Sequence, residues 1–377
     1  MVAETLARLE AIVRPYLTRK LAPQQATKLY SKGRKSFLST LTSETAEAYS
    51  PPEHLQRTLW GLTFRSPIMN AAGMFKNGEG YYLMHEQGAA GFLGGTTTWN
   101  PRVGNEKEGI QTPFVPYPES GAASNWLGLP NNGDKEVCIN YIGIGKKDGF
   151  PLGHSVMRSP DLSVSEGMEK LVQAMIMYEQ AGVDWLEINE SCPNTGHGKG
   201  DDLKEERMLV DRLSYIEGCF LKRRKGNNSI PVVVKFSNDT PIQRVPFIMD
   251  VLPAFGFDGV NFGNTSTAYR DLRNSIVPEE RRLYDYFTTT FGGGVSGRPL
   301  KGRSLLLAVA AVQYLREHPP EREFQVIRTG GIETWEDIVD SEKAGISMNQ
   351  WFTGYFAQFA EHGHKVYQTL YPSSGEK

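Results

Sequence analysis

A thiol and two carboxamides lie close together in the sequence, directly after an apolar run. Asn189, Cys192 and Asn194 follow residues 183–188, which read Val-Asp-Trp-Leu-Glu-Ile. A thiolate can remove a proton, and a carboxamide offers donor and acceptor groups to a planar imide or amide ring. Active-site residues often lie where a buried strand ends and a loop begins. The segment alone predicts equally well a catalytic site or a strand-end turn with a buried, inert cysteine.

Alternating strand-like and helical stretches occupy the chain from residue 67 onward. Glycine stands between a helical stretch and the next apolar run at Gly88, Gly182, Gly256 and Gly345, where a helix C-cap needs a left-handed residue. Strands are predicted at residues 67–73, 91–98, 151–157, 184–191, 231–237, 259–265, 324–331 and 347–354. Eight strands joined by helices predict a (β/α)8 barrel of the α/β class. A doubly wound sheet is the alternative, but no GxGxxG follows the first strand.

Side chains at the C-terminal ends of barrel strands converge on one pocket. Ala72 and Gly73 end the first strand, and such small residues let a flat ring approach the backbone. Lys235 follows three valines in the fifth strand. Because an unpaired buried charge is costly, this lysine must be paired or hold an anion, and we expect it to contact a cofactor or substrate. Asn264 and Thr265 offer further hydrogen bonds after the sixth strand.

Three glycine-rich segments fall where barrels bind phosphate. They are residues 292–297, residues 330–331 after the seventh strand and residues 353–354 after the eighth. Backbone N–H groups and a helix N-terminus face one point there. The segments together predict a phosphorylated cofactor, and we expect the long insertion at residues 100–149 to shape or cover the site.

The first fifty residues differ from the rest. They predict two short amphipathic helices separated at Pro23, as an extension (residues 1–50) to the barrel (residues 51–377). Their polar faces are rich in basic residues, namely Arg8, Arg14, Arg19, Lys20, Lys28, Lys32, Arg34 and Lys35. Such helices suit an anionic membrane surface, whereas a helical cap packed on the barrel or an oligomer contact is an equally weighted alternative.

The overall composition is that of an ordinary soluble protein. The 377 residues carry a net charge of −2 and 22% charged residues, so nucleic acid is not an expected partner. Cys138, Cys192 and Cys219 form no CxxC pair, which favours a reducing compartment and argues against a metal site. No apolar stretch approaches the roughly 20 residues that span a bilayer. We expect a cytoplasmic protein, or one peripheral on the cytoplasmic face of the inner membrane.

An ordered set of motifs resembles those of the dihydroorotate dehydrogenases. They are AAGMFKNGE at residues 71–79, NWLGLPNNG at 125–133, NESCPNT at 189–195, VVKF at 233–236, GGVSGRPLK at 293–301, TGGI at 329–332 and QWFTG at 350–354. The resemblance extends over roughly residues 67–371. It implies an FMN-binding barrel that oxidises (S)-dihydroorotate to orotate in pyrimidine (UMP) biosynthesis.

The resemblance also assigns roles residue by residue. Cys192 looks like the base that takes the C5 proton while hydride passes from C6 to flavin N5. Substrate-binding residues implied by similarity are Lys76, Asn125, Gly128, Leu129, Asn189, Asn194, Asn264 and Thr265. Cofactor-binding residues implied in the same way are Ala72, Gly73, Lys76, Thr96, Ser155, Asn189, Lys235, Ser296, Gly297, Gly330, Gly331, Thr353 and Gly354.

The motifs mix two classes of this family. Lys76 and the helical extension resemble the membrane-associated, quinone-reducing class, whereas Cys192 and residues 128–131 resemble the soluble class that uses fumarate or NAD. Phe75 and Ser155 depart from the quinone-class pattern, which usually has aspartate and asparagine there. We favour quinone, because the extension would give a lipid-soluble acceptor a route to the flavin.

Three alternatives stay open. The chain could be a soluble-class enzyme, a related flavin barrel acting on another dihydropyrimidine or tRNA dihydrouridine, or a silent barrel that binds a phosphorylated ligand. A monomer and a homodimer both fit the sequence.

Overall fold

The computed structural model describes residues 1–190, 202–224 and 230–372. The helices in these ranges are α1 (Val2–Lys20), α2 (Pro23–Thr42), α3 (Tyr81–Gln87), α4 (Asp134–Ile142), α5 (Val164–Gln180), α6 (Asp202–Cys219), α7 (Val245–Ala254), α8 (Tyr269–Leu272), α9 (Arg281–Thr290), α10 (Lys301–Glu317), α11 (Trp335–Ala344), α12 (Thr353–His362) and α13 (Val366–Leu370). The strands are β1 (Arg57–Leu59), β2 (Leu62–Phe64), β3 (Ile68–Asn70), β4 (Phe92–Thr97), β5 (Glu106–Lys107), β6 (Ile110–Gln111), β7 (Phe114–Tyr117), β8 (Ala122–Asn125), β9 (Leu152–Val156), β10 (Trp185–Asn189), β11 (Val232–Phe236), β12 (Gly259–Phe262), β13 (Gly294–Gly297), β14 (Gln325–Thr329) and β15 (Met348–Trp351).

Eight parallel strands form a nearly closed barrel in the order β3-β15-β14-β12-β11-β10-β9-β4. The two outer strands of this order meet through Asn70, whose side chain donates to Leu93 O at 2.7 Å and accepts from Leu93 N at 3.3 Å. Each of the eight predicted strand segments contains one of these strands, although the observed strands are shorter. The predicted (β/α)8 architecture is therefore confirmed.

Glycine ends helices where the sequence predicted it. Gly88 and Gly345 cap α3 and α11 in the left-handed conformation, with φ of 94° and 90°. Gly182 and Gly256, with φ of 86° and 79°, turn the chain after α5 and α7. These turns deliver the chain to the next buried strand, so side chains at the far strand ends share one side of the barrel.

A small sheet lies beside the strand ends of the barrel. In the insertion, β7 pairs with β8, and β8 also pairs with β13, so that Asn125 lies opposite both Phe114 and Gly294. The insertion is thus tied to the segment that precedes α10, which fixes the position of the chain that follows β8.

The N-terminal extension is a pair of helices, as predicted, and it packs on the barrel. Helix α1 contacts α12, and α2 contacts β7 and α9. The helices bury small residues, namely Ala3 and Ala7 of α1 and Ala26 of α2. No helix in the described ranges is long and apolar enough to cross a membrane.

Candidate active site

A cavity opens at the C-terminal ends of the barrel strands. Seven of the eight barrel strands, or the loops that follow them, contribute to its wall, together with the chain after β8 and β13. Most of the residues predicted to bind substrate or cofactor lie in this wall, namely Ala72, Gly73, Lys76, Thr96, Asn125, Gly128, Leu129, Asn189, Lys235, Asn264, Thr265, Ser296, Gly297, Gly330, Gly331, Thr353 and Gly354. Residues up to 282 positions apart thus meet at one site.

Three predicted residues are not among the described residues of this wall. Ser155 is fully buried in β9, and its hydroxyl lies 2.9 Å from the Thr96 hydroxyl. Any effect of Ser155 on a ligand would therefore pass through Thr96, which does line the cavity. Cys192 and Asn194 lie outside the described residues.

Lysines are the charged side chains of the cavity wall in the described part of the chain. Lys76 follows β3, and the nearby Glu79 carboxylate accepts hydrogen bonds from the backbone N–H groups of Lys76 and Asn77 at 3.1 and 2.7 Å. Burial, and next to it the Arg34 guanidinium on α2, lower the pKa of Lys76 to about 8. A desolvated ammonium group in the wall would suit a ligand anion.

Two carboxamides form a connected row in the same cavity wall. The Asn189 side chain donates to the Thr96 hydroxyl at 3.3 Å, and the Asn264 side chain donates to Asn189 Oδ1 at 3.3 Å. Asn264 Oδ1 in turn accepts from the backbone N–H of Thr265 at 2.9 Å. These contacts fix the amide planes, so the row can present a set of donors and acceptors to a planar ring.

The loop after β8 bends sharply toward the cavity. Gly128 and Leu129 both have positive φ, 71° and 57°. Asn131 holds this conformation, because its side chain donates to Leu129 O at 2.8 Å and to the Thr98 hydroxyl at 3.0 Å. A Cβ atom added at Gly128 would lie 2.3 Å from Asn105 Oδ1, so the tight turn requires glycine.

One end of the cavity has the features of a phosphate site. Helix α12 begins there at Thr353 without a side-chain cap, which leaves its first backbone N–H groups available. The Ser296 and Thr353 hydroxyls lie 2.9 Å apart, and Gly330 and Gly331 complete the wall. A Cβ atom added at Gly354 would lie 2.0 Å from Ile332 O, so the helix start fits only glycine. The arrangement suits a phosphate group.

The part of the wall after β3 is made of small residues. Gly73 has φ of 90°, and a Cβ atom added there would meet no heavy atom within 4 Å. Open space therefore lies in front of the Gly73 backbone, and the neighbouring Ala72 is also small and lines the cavity. With the phosphate-suited end, these residues fit a flat, phosphorylated cofactor.

Lys235 is both paired and in contact with the cavity. Its ammonium group lies 3.3 Å from Glu187 Oε1, and the two side chains are 4% and 0% exposed. The sequence pattern predicted a cavity role for this lysine, but Glu187 was not predicted as its partner. The signal was present, because Glu187 precedes Asn189 by two positions and alternate residues of a strand point to the same face.

Comparisons with known proteins agree with the barrel fold. The family model for dihydroorotate dehydrogenase matches residues 54–371. A protein of Thermosynechococcus vestitus named dihydroorotate dehydrogenase (quinone) is 27% identical over 311 residues, which cover 82% of this chain and 79% of that protein. A protein of the same name from a Shewanella species is 29% identical over 303 residues, covering 80% and 82%. The crystal structure of DHODH from Eimeria tenella in complex with ferulenol covers 90% of this chain and 89% of its own, with a TM-score of 0.71 and 21% identity.

The fold and the cavity together define a (β/α)8 barrel with a ligand site at the strand ends. The family match covers most of this barrel. The chain therefore belongs to the dihydroorotate dehydrogenase family, whose members are flavin-dependent oxidoreductases of pyrimidine biosynthesis.

Proposed function

We propose that this protein oxidises (S)-dihydroorotate to orotate with bound FMN, and that a quinone then accepts the electrons. The observation that carries the proposal is the joint position of Lys76, Asn189 and Asn264 in one cavity wall. A desolvated cation beside a row of oriented carboxamides matches a ring that carries a carboxylate as well as imide groups.

The substrate carboxylate would pair with Lys76, and the ring N–H and C=O groups would pair with Asn125, Asn189 and Asn264. This assignment separates dihydroorotate from a simple dihydropyrimidine such as dihydrouracil, which has no carboxylate for Lys76. Without that anion, the lysine would have to remain desolvated and uncompensated by the ligand.

Ala72 and Gly73 would hold the ring of the cofactor, and Thr353 and Gly354 would hold its phosphate. Bound FMN supplies an acceptor for the hydride from substrate C6. Lys235 would donate a hydrogen bond to the ring, because a fixed cation favours added negative charge there.

The chain itself would supply the proton transfer and exclude water. Cys192 would take the proton from substrate C5, so that loss of this proton and of the C6 hydride leaves the C5–C6 double bond of orotate. The turn at Gly128 and Leu129 lies in the cavity wall and would shield the substrate. Lys76 would hold the carboxylate in place during both transfers.

A quinone is favoured as acceptor by the extension. Large apolar side chains on one face of α1 point to solvent, with exposures of 62% for Val2, 45% for Leu6, 57% for Leu9, 46% for Val13 and 66% for Tyr16. Nearby basic side chains, including Arg8, Arg19 and Lys20, are also exposed. An apolar face with a basic rim suits an anionic membrane surface, where lipid-soluble quinones reside.

Aromatic contacts connect this extension to the cavity. Phe352 lines the cavity, and its ring centroid lies 5.4 Å from that of Phe356 on α12. The Phe356 ring is in turn 6.3 Å from that of Phe37 on α2. This apolar path would suit an acceptor that enters between the extension and the barrel.

Cys192 and residues 128–131 favour the alternative, a soluble acceptor such as fumarate or NAD.

Cofactor and substrate can be tested together on the purified protein. Released cofactor would be identified by mass and visible absorbance, and turnover would be compared between dihydroorotate and dihydrouracil. We expect FMN and turnover of dihydroorotate alone. Equal turnover of dihydrouracil would contradict the role of Lys76, and a colourless protein would contradict the proposal as a whole.

A further inference from the structure

The two lysines of the cavity wall differ in how their charge is compensated. The Glu79 carboxylate hydrogen-bonds to the backbone N–H groups of Lys76 and Asn77 and attracts the Lys76 ammonium group, which lies in the cavity wall, only through its charge. Lys235 instead faces a fully buried carboxylate, Glu187, at 3.3 Å. The wall thus contains one cation suited to an anionic ligand and one cation that is already matched by an acid below the surface.

Glu187 is fixed by amides from two other strands. Its Oε2 accepts from Asn261 Nδ2 at 2.8 Å and from Gln350 Nε2 at 3.1 Å. The Thr329 hydroxyl lies 2.9 Å from Asn261 Oδ1 and 3.0 Å from Gln350 Oε1, which orients both amides. All of these side chains are buried, so the carboxylate has one geometry and its second oxygen is directed toward Lys235.

The register of the strands explains why this polar layer lies just below the cavity. Asn189 and Lys235 are partners across β10 and β11, and Lys235 and Asn261 are partners across β11 and β12. Glu187 lies two residues before Asn189 on the same face of β10. It is therefore one step deeper in the barrel than the residues of the wall and does not line the cavity itself.

We infer that Glu187 is a positioning residue that holds Lys235 and lowers the reduction potential of the bound flavin. The inference rests on the proposed binding of FMN beside Lys235. Reduction adds negative charge to the flavin, which Lys235 stabilises and the nearby carboxylate opposes. The pair thus supplies a fixed hydrogen-bond donor, but it raises the reduction potential of the flavin less than an isolated cation would. A flavin with a lower reduction potential passes its electrons on to the acceptor more readily.

The test is the midpoint potential of the flavin in the holoenzyme, measured by titration with a chemical reductant against a reference dye. Glu187→Gln removes the negative charge and keeps the shape. We expect the affinity for reduced relative to oxidised flavin to rise about tenfold, a positive shift of about 30 mV for a two-electron couple. Gln350→Met removes one donor to Glu187 and leaves its charge less dispersed, so we expect a smaller shift in the opposite direction.

Asp258→Asn is the matched control, because it removes a carboxylate from another buried ion pair. Asp258 lies 2.7 Å from Arg224 and immediately precedes β12, at the end of the barrel away from the cavity. It should leave the potential unchanged. An unchanged or lower potential in Glu187→Gln would overturn the inference, and if that variant does not fold, an unchanged potential in Gln350→Met would do so.

The chemical reductant separates this inference from the proposed function. A wild-type protein that binds FMN but is not reduced by dihydroorotate would contradict the proposed reaction, and the potentials of the variants would still test Glu187.

Discussion

Charge compensation differs between the two lysines of the cavity wall. Lys76 stands in the wall with its pKa lowered to about 8, chiefly by burial, whereas Lys235 contacts the buried Glu187. An anion that enters the cavity therefore gains most by reaching Lys76. In the proposed reaction, this difference between the two lysines would orient an acidic substrate before any chemistry takes place.

The lowered pKa of Lys76 predicts how binding depends on pH. Below about pH 8 the ammonium form predominates and attracts the carboxylate of orotate; above it, the charge is lost. We expect the dissociation constant of orotate, measured by flavin absorbance, to rise up to about tenfold per pH unit above pH 8. Lys76→Met should bind weakly and with little pH dependence over the same range. A wild-type constant that stays level from pH 7 to pH 9.5 would rule out this role.

Cys192 carries the prediction that rests on the sequence alone, because it lies outside the described residues. If it is the base, Cys192→Ala should slow reduction of the flavin by dihydroorotate about 10²-fold or more. Orotate binding should change little, which separates proton transfer from substrate affinity. A reduction rate equal to that of the wild type, measured by stopped-flow absorbance, would remove the assignment.

At the scale of elements, the turn after β8 is predicted to shape the substrate pocket. Gly128→Ala would bring a Cβ atom within 2.3 Å of Asn105 Oδ1 and 2.6 Å of Asn105 N. The turn must then shift, and we expect KM for dihydroorotate to rise about tenfold through the loss of about 1.4 kcal/mol of binding.

Gly109→Ala is the control for the turn. Gly109 has φ of 67°, close to the 71° of Gly128, but an added Cβ atom there meets nothing within 4 Å. Both substitutions carry the backbone cost of positive φ, about 1–2 kcal/mol, and the collision is specific to Gly128. Similar KM values for the two variants would show that the collision does not affect the substrate.

Helix α1 is the element predicted to contact a membrane. Leu9 on its apolar face is 57% exposed, as is Leu306 on α10. Both Leu9→Glu and Leu306→Glu add one negative charge at the same exposure, but only Leu9 lies on the apolar face of α1. We therefore expect Leu9→Glu to reduce co-sedimentation with anionic vesicles several-fold and Leu306→Glu to leave it unchanged. Equal binding by both variants and the wild type would favour the interpretation of α1 as a cap on the barrel.

For the whole molecule, the sequence was sufficient to predict the barrel. Glycines at the helix ends, such as Gly88 and Gly345, and buried apolar runs such as residues 232–234 are local signals, and the eight-strand order follows from their repetition. Most of the residues predicted for the site line the cavity as well, because the C-terminal strand ends of a barrel meet on one side.

Features that depend on contacts between distant strands could not be predicted. The partner of Lys235 depends on the register of β10 and β11. The position of Ser155 behind Thr96 depends on which side of β9 the Ser155 side chain lies. The apolar residues of α1 also gave no indication of which side faces the barrel. Ala3 and Ala7 allow close packing, so the larger Leu6 and Leu9 are directed outward.

Reduction of the flavin by dihydroorotate is the most direct test of the proposed function. The purified protein would be mixed anaerobically with dihydroorotate while the visible flavin absorbance is followed, and a short-chain quinone or fumarate would then be added in separate runs. We predict bleaching by dihydroorotate and recovery with the quinone. Absence of bleaching would contradict the proposed reaction, and recovery with fumarate but not quinone would contradict the proposed acceptor.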